Sequence, residues 1–117
     1  MKDTKICVIG LGYVGLPMAR LFSTKYKTVG YDICESRVEA LKAGHDEMLE
    51  VSDELLQKAL RSGLKCTSNI EDIKDCNFYV VAVPTPVDKN NNPDLSPLYE
   101  ASTTVGSVLS EGDVVVY

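Results

Sequence analysis

Three glycines near the start of the chain constrain its fold more than any other feature. Residues 10–15 read Gly-Leu-Gly-Tyr-Val-Gly, which matches the pattern G-x-G-x-x-G. The motif follows Lys5–Ile9, an apolar run typical of a buried parallel strand. Beyond it, apolar residues recur at helical spacing, at Val14, Met18, Leu21 and Phe22. A strand, a glycine turn and a packed helix in this order predict the first unit of a parallel sheet.

The glycine positions also predict what the turn binds. In such a turn the first glycine allows the tight bend, the second lets a pyrophosphate approach the backbone, and the third lets helix and strand pack closely. The N–H groups of the helix N-terminus then face the phosphate. We expect the whole loop to contact a dinucleotide, and the alternative is a plain turn beside a closely packed helix. The loop residues are Gly10, Leu11, Gly12, Tyr13, Val14 and Gly15.

The rest of the chain alternates strand and helix signals. Further strands are predicted at Lys27–Asp32, Leu64–Thr67, Phe78–Val83 and Val114–Tyr117. Helices are predicted to begin at the capping box Ser36–Glu39, at Ser52 with the staple pair Val51 and Leu56, and at Ser96-Pro97. They are expected to end at Gly44, at Gly63 and near Gly112, with one helical turn at Asn69–Lys74. The last helix is expected to bury Leu98, Ala101, Val105, Val108 and Leu109.

This alternation predicts the fold class. Strands joined by helices imply right-handed crossovers and a parallel sheet covered on both faces. No linker-like composition marks a domain boundary. We therefore predict one α/β domain over residues 1–117, with the doubly wound parallel sheet of a Rossmann-type dinucleotide-binding fold.

Asp32 is the predicted ribose ligand. It ends the second strand, 22 residues after Gly10, where a carboxylate accepts hydrogen bonds from the adenosine ribose hydroxyls. A 2′-phosphate at that position meets like charge, so NAD is favoured over NADP. Ile33 is expected beside the same part of the cofactor. Arg37 is expected to cover the adenine or to attract a phosphate.

A second predicted contact lies at the end of the fourth strand. Val83-Pro84-Thr85-Pro86 falls where the strand order should reverse, and ligands bind at such a switch point. The prolines stiffen the backbone and leave the Thr85 hydroxyl for the central or nicotinamide half of the cofactor. A rigid loop with a capping threonine is the alternative. Val83, Pro84 and Thr85 complete the predicted cofactor site.

Charge excludes some classes of partner. Twelve Lys and Arg against seventeen Asp and Glu give a net charge of −5, so neither nucleic acid nor an anionic membrane surface is expected to bind. The longest apolar run is far shorter than the roughly 18 residues of a membrane helix. We expect a cytoplasmic protein.

The remaining reactive side chains are interpreted as structural. Nothing in the sequence around Cys34 predicts a lowered pKa, and His45 has no carboxylate partner at a catalytic spacing. Asp46, Glu47 and Glu50 are interpreted as a solvated turn rather than a cation site. No catalytic residue and no metal ligand is assigned. Without a C-x-x-C pair, four cysteines are expected to be reduced and structural: Cys7, Cys34, Cys66 and Cys76.

With these motifs the sequence resembles the N-terminal domain of the nucleotide-sugar 6-dehydrogenases, the family of UDP-glucose, UDP-N-acetylhexosamine and GDP-mannose dehydrogenases. The resemblance covers the whole chain. It is closer to the N-acetylhexosamine or mannosaminuronate branch over residues 44–51. Its motifs are G-L-G-Y-V-G-L-P at Gly10–Pro17, Asp32 with Arg37-Val38, V-P-T-P-V at Val83–Val87 and P-D-L at Pro93–Leu95.

The resemblance implies an activity for a longer enzyme. That activity is the two-step, NAD-dependent oxidation of a sugar C6 alcohol to a carboxylate for polysaccharide precursors, through a thioester on a cysteine of a later domain. The family's catalytic Cys, Lys and Asn, its central dimerisation helix and its sugar-binding domain all belong downstream of Tyr117. The resemblance therefore implies a cofactor-binding fragment, inactive alone, of a homodimeric or larger enzyme.

Two other functions remain open. The first is the NAD(P)-binding domain of a β-hydroxyacid dehydrogenase, whose opening the glycine motif and Met18-Ala19 also resemble. The V-P-T-P-V segment and the helices between Asp32 and Leu64 argue against it. The second is a non-catalytic dinucleotide-sensing module. Sequence downstream of Tyr117 distinguishes all three.

The fragment is expected to self-associate weakly. In the family it resembles, this domain is partly buried against a central helix and a second lobe, and exposed apolar area promotes association. The strand Val114–Tyr117 adds unpaired edge groups, whereas the net charge of −5 opposes contact. Light scattering over a concentration series should show a mass that rises with concentration. A monomeric mass at every concentration would contradict this expectation.

Overall fold

The computed structural model describes residues 4–12, 14–46, 51–83, 96–109 and 112–116. All strand pairings within them are parallel and form one five-stranded sheet in the order β3-β2-β1-β4-β5. The strands are β1 Lys5–Ile9, β2 Lys27–Tyr31, β3 Lys65–Thr67, β4 Phe78–Val81 and β5 Val114–Val116. The helices are α1 Gly15–Phe22, α2 Glu35–Lys42, α3 Asp53–Arg61 and α4 Ser96–Val108, with a 3₁₀ turn at Ile70–Ile73.

The sheet has a hydrophobic layer on each face, which confirms the predicted doubly wound α/β class. Because side chains alternate along a strand, Ile6 and Val8 of β1 enter one layer and Cys7 and Ile9 enter the other. The first layer is completed by α1, α2 and α3, and the second by α4 and the 3₁₀ turn. The order along the chain reverses between β1 and β4, so a switch point lies at their carboxyl ends.

Helix α1 packs through a different face from the predicted one. Met18 and Phe22 contact the core as expected, but Val14 and Leu21 are exposed. The buried residues of the helix are Gly15, Leu16 and Ala19. The reason is steric: a glycine at position 15 lets the helix approach the glycine turn on that side. The approach rotates the larger apolar residues away from the sheet.

Two helix boundaries differ from the predicted ones. Helix α2 begins at Glu35 with Cys34 as N-cap, so Ser36 lies inside the first turn and the predicted capping box is wrong. The turn after β2 is shortened because Asp32 Oδ1 accepts a hydrogen bond from the Cys34 N–H. Helix α4 ends at Val108, and Leu109 lies exposed beyond it, because the chain turns back to pair β5 with β4.

Other local predictions are confirmed. Ser52 caps α3 by accepting a hydrogen bond from the Leu55 N–H at 3.3 Å, and Val51 and Leu56 are both buried. Gly44 and Gly63 follow their helices with positive φ angles of 89° and 114°. Strands β2 and β4 end one and two residues earlier than predicted, because the chain turns toward the switch point.

The cysteines are all free thiols, as predicted. Cys7, Cys66 and Cys76 are buried in the two hydrophobic layers, and burial raises the pKa of the Cys66 thiol to about 11. Among the described residues, no helix has both the length and the apolar character needed to cross a membrane.

The close contact at Gly15 predicts a large difference between two glycine-to-alanine substitutions. A Cβ at Gly15 would lie 1.7 Å from the Gly10 carbonyl oxygen, whereas one at Gly106, inside α4, meets no atom within 4 Å. Gly15→Ala should lower the free energy of unfolding by about 2 kcal/mol or more. Gly106→Ala should raise it by about 0.5–1 kcal/mol. Urea unfolding of both variants tests this, and equal midpoints would contradict the packing role of Gly15.

Candidate cofactor-binding site

A cavity of about 500 Å³ lies at the carboxyl ends of the central strands. Ile9 of β1 pairs with Tyr31 of β2 on one side and with Val81 of β4 on the other, so these strands end at one level. Helix α4 closes the far side. The lining residues are Ile9, Gly10, Leu11, Gly12, Tyr31, Asp32, Ile33, Cys34, Ser36, Arg37, Val83, Glu100, Ala101 and Thr104.

The glycine loop forms the floor of the cavity. Gly10 bends the chain with φ at +98°, and its N–H donates to the Tyr31 carbonyl at 2.8 Å. A Cβ at Gly12, by contrast, would meet no protein atom within 4 Å. Helix α1 starts beside it, with Val14 as N-cap and no side-chain hydrogen bond there. The Leu16 N–H donates to the Gly12 carbonyl at 3.2 Å and Pro17 has no N–H, so the Gly15 N–H is the donor that the first turn offers to a phosphate.

Asp32 links the loop to the end of β2. Its Oδ2 accepts a hydrogen bond from the Leu11 N–H at 2.9 Å, and its Oδ1 accepts one from the Cys34 N–H at 2.9 Å. A carboxylate has about four acceptor positions, so two backbone bonds leave capacity for further donors. Asp32 is half-buried and lines the cavity. Its geometry therefore fits a group that presents hydroxyl donors.

Arg37 lines the cavity and also binds the protein itself, and its expected contact with adenine or a phosphate stays a prediction. Its Nε and Nη2 both donate to the Leu11 carbonyl, at 3.0 and 2.7 Å. Its Nη1 lies 2.7 Å from Asp46 Oδ1. The interpretation of Asp46 as part of a solvated turn is wrong, because this side chain is fully buried and forms an ion pair with Arg37. Glu47 and Glu50 lie outside the described residues.

Two more side chains have partners that the sequence did not predict. Cys34 Sγ lies 3.2 Å from Ser36 Oγ, and this hydrogen bond lowers the pKa of the exposed Cys34 thiol. Local sequence gave no sign of it, because it arises where α2 begins. His45 is exposed as expected, but its Nδ1 lies 2.9 Å from Asp53 Oδ1, eight residues away along the chain.

Seven of the predicted site residues meet at the cavity: Gly10, Leu11, Gly12, Asp32, Ile33, Arg37 and Val83. Gly15 is instead buried under the turn and Val14 points to solvent, while Tyr13, Pro84 and Thr85 lie outside the described residues. Sequence reasoning missed Glu100, Ala101 and Thr104 of α4. Ala101 was expected only in the core face of the helix, and the available signal for Glu100 and Thr104 was that they lie one turn apart beside it.

These features define the class of protein. A doubly wound parallel sheet carries a glycine turn after β1, an acid at the end of β2 and a cavity at the switch point, which is the arrangement of a dinucleotide-binding domain. The residues fit such a cofactor, because Gly12 leaves room for a diphosphate and Asp32 retains acceptors for ribose hydroxyls. In the described part of the chain, no group of three His, Cys, Asp or Glu side chains is placed to hold a metal.

Comparison with known proteins identifies the family. Residues 4–117 match the family described as "UDP-glucose/GDP-mannose dehydrogenase family, NAD binding domain". The chain belongs to this family and corresponds to its N-terminal NAD-binding domain, so its cofactor is NAD. This membership confirms the family resemblance found in the sequence, and it excludes the β-hydroxyacid dehydrogenases.

The relatives are longer proteins. All 117 residues align at 51% identity with the UDP-N-acetyl-D-glucosamine 6-dehydrogenase of Salmonella typhi, and at 48% with that of Pseudomonas aeruginosa. The chain spans 27% of each of them. The solved structure of the UDP-D-ManNAc dehydrogenase of Pyrococcus horikoshii superposes with a TM-score of 0.89 at 38% identity, over 96% of this chain and 27% of that one. These names agree with the expected N-acetylhexosamine branch.

A more distant structure shares the fold alone. The (S)-3-hydroxybutyryl-CoA dehydrogenase of Ralstonia eutropha covers 97% of this chain with a TM-score of 0.64, at only 13% identity. Its likeness shows that the architecture recurs in another class of dehydrogenase, and it carries no information about substrate.

The position of Asp32 predicts the outcome of removing its carboxylate. Asp32→Ala should weaken NAD binding by about 1–3 kcal/mol, the scale for a charged hydrogen-bonding partner. It should also narrow or invert the preference for NAD over NADP, since the negative charge near a 2′-phosphate is gone. Calorimetric titration of both cofactors measures this, with Asp53→Ala, an exposed aspartate beside His45, as the control. Unchanged NAD affinity would assign the ribose contact to another residue.

Proposed function

We propose that this chain is the cofactor-binding part of an enzyme that oxidises the C6 alcohol of a UDP-sugar to a uronic acid, for polysaccharide precursor synthesis. The observation that carries the proposal is the carboxylate of Asp32, held beside the glycine loop with acceptor capacity facing a cavity of about 500 Å³. The relatives' names support an N-acetylated hexosamine as the sugar.

In this proposal each part of the site has a separate role. The loop Gly10–Gly15 and the start of α1 bind the diphosphate, while Asp32 and Ile33 bind the adenosine ribose. Arg37 acts on the same half of the cofactor through Leu11. Val83, Pro84 and Thr85 approach the nicotinamide half. Bound NAD supplies a hydride acceptor, and these residues bind and orient it.

The proposal assigns no catalytic residue to this chain. Residues 1–117 act as one dinucleotide-binding domain of a longer enzyme, whose nucleotide-sugar site and reactive thiol lie in other domains. The lowered pKa of Cys34 does not change this assignment, because Cys34 lies where β2 joins α2, on the ribose side of the cavity. A non-catalytic sensing module is the alternative, and it shares the cofactor site.

We place this enzyme in the cytoplasm and propose that it is a homodimer or larger. Four free thiols are typical of a reducing compartment. Weak self-association of the 117-residue chain is supported by the exposed Val114 and Val116 of β5, a strand at the edge of the sheet.

The chain alone should bind NAD and NADH but should not oxidise a nucleotide sugar. Calorimetry should detect both cofactors, with weak affinity because the cavity encloses only part of the dinucleotide. When NAD and UDP-N-acetyl-D-glucosamine are added, the absorbance of NADH should not increase with time. Steady NADH production by the purified chain would refute the assignment of catalysis to other domains. Absence of NAD binding would refute the proposed cofactor site.

A further inference from the structure

Both backbone polar groups of Leu11, in the glycine loop, are bound by charged side chains. The Leu11 N–H donates to Asp32 Oδ2, and the Leu11 carbonyl accepts from both Nε and Nη2 of Arg37. Leu11 is fully buried and lines the floor of the cavity. The position of Leu11 therefore depends on where the guanidinium lies, as well as on the ribose-binding acid.

The position of the guanidinium depends in turn on Asp46. Asp46 Oδ1 lies 2.7 Å from Arg37 Nη1, and Asp46 Oδ2 accepts from the Val51 N–H at 2.9 Å, just before α3. Both side chains are buried, with exposed fractions of 8% for Arg37 and 0% for Asp46. Burying two charges costs several kcal/mol of desolvation, so such a pair is weak evidence for stability by itself. The pair instead fixes the orientation of the Arg37 guanidinium.

The orientation of the Arg37 guanidinium affects the choice between NAD and NADP. Among the described residues that line the cavity, Arg37 is the only Lys or Arg. A guanidinium near the adenosine ribose is the group that accommodates a 2′-phosphate in NADP-binding sites. Here Nε and Nη2 donate to the Leu11 carbonyl, and Nη1 forms an ion pair with Asp46 at 2.7 Å without a hydrogen bond. The cation is thus beside the cofactor site but directed into the protein.

We propose that Asp46 is a positioning residue for cofactor recognition. It holds Arg37 against the Leu11 carbonyl, which keeps the glycine loop in its binding conformation. It also withholds the guanidinium from a 2′-phosphate, so that discrimination against NADP depends on Asp46 as well as on Asp32. This inference rests on the proposed cofactor site.

Asp46→Asn in the 117-residue chain tests the proposal, because the amide keeps the size and loses the charge. Dissociation constants for NAD and NADP are measured by calorimetry, and the affinity for NAD should fall about tenfold. NADP binding should weaken less than this or become tighter. The ratio of the NADP dissociation constant to the NAD dissociation constant should therefore fall at least about fivefold. The control is Asp72→Asn. Asp72 also binds a hydroxyl and a lysine, Thr67 and Lys65, but lies outside the cavity lining.

A purely structural role for Asp46 gives a different result. Loss of stability weakens both cofactors in proportion and leaves the ratio unchanged, and that outcome would overturn the proposal. If Asp46→Asn does not fold, the double variant Arg37→Met with Asp46→Leu replaces the ion pair by apolar groups, an exchange that proteins often tolerate. This variant should bind NAD about tenfold more weakly, with no gain toward NADP. Wild-type NAD affinity in the double variant would also overturn the proposal.

A measurement without ligand separates this inference from the proposed function. Hydrogen exchange of the Leu11 N–H reports how firmly Leu11 is held in the cofactor-free chain. Asp46→Asn should speed this exchange about tenfold or more relative to Asp72→Asn, because Arg37 no longer fixes the carbonyl. Equal exchange in the two variants refutes the positioning role. Faster exchange in a chain that binds no NAD supports the positioning of the loop and refutes the proposed cofactor site.

Discussion

The structure depends on the contact between helix α1 and the glycine turn. Gly15 lies so close to the Gly10 carbonyl that an added Cβ would be 1.7 Å from its oxygen. This approach sets the height of α1 over β1, and it brings the uncapped start of the helix to the rim of the cavity. The same contact rotates Val14 and Leu21 to the surface, so one backbone distance decides both the packing of the helix and the position of its N-terminus.

A small set of charges then positions the loop. Asp32 accepts hydrogen bonds from two backbone N–H groups and ties the start of α2 to Leu11, while Arg37, paired with Asp46, donates to the Leu11 carbonyl. Two aspartates therefore act on Leu11, Asp32 directly and Asp46 through Arg37, but only Asp32 lines the cavity. The buried Arg37–Asp46 pair connects the cofactor loop to the segment before α3 through the Val51 N–H. The proposed cofactor loop and the packing of α2 and α3 are consequently linked by a buried ion pair.

Much of the fold could be predicted because its signals are local. The strand Lys5–Ile9 matches the structure at both ends, and Ser52 caps α3 as its sequence context predicts. The parallel order follows from the alternation of strands and helices and the handedness of their crossovers. The predicted capping box at Ser36 is wrong because a competing local hydrogen bond, from the Cys34 N–H to the Asp32 side chain two residues earlier, starts the helix sooner. Short-range capping preferences are worth about 1 kcal/mol and are readily overridden by such contacts.

Spacing along the chain encodes the class of the protein, the glycine turn and the acid at the end of β2, so these three features could be predicted from the residues alone. The roles of Arg37, Asp46 and Cys34 emerge from the folded arrangement. Their partners are distant in sequence or depend on where a helix begins, and an isolated charge in a sequence does not reveal whether it will be buried. The α4 wall of the cavity was also a tertiary outcome, since Glu100 and Thr104 reach the site only through the crossover between β4 and β5. Local patterns specify elements, whereas long-range packing decides which polar groups lose water and must find partners inside the protein.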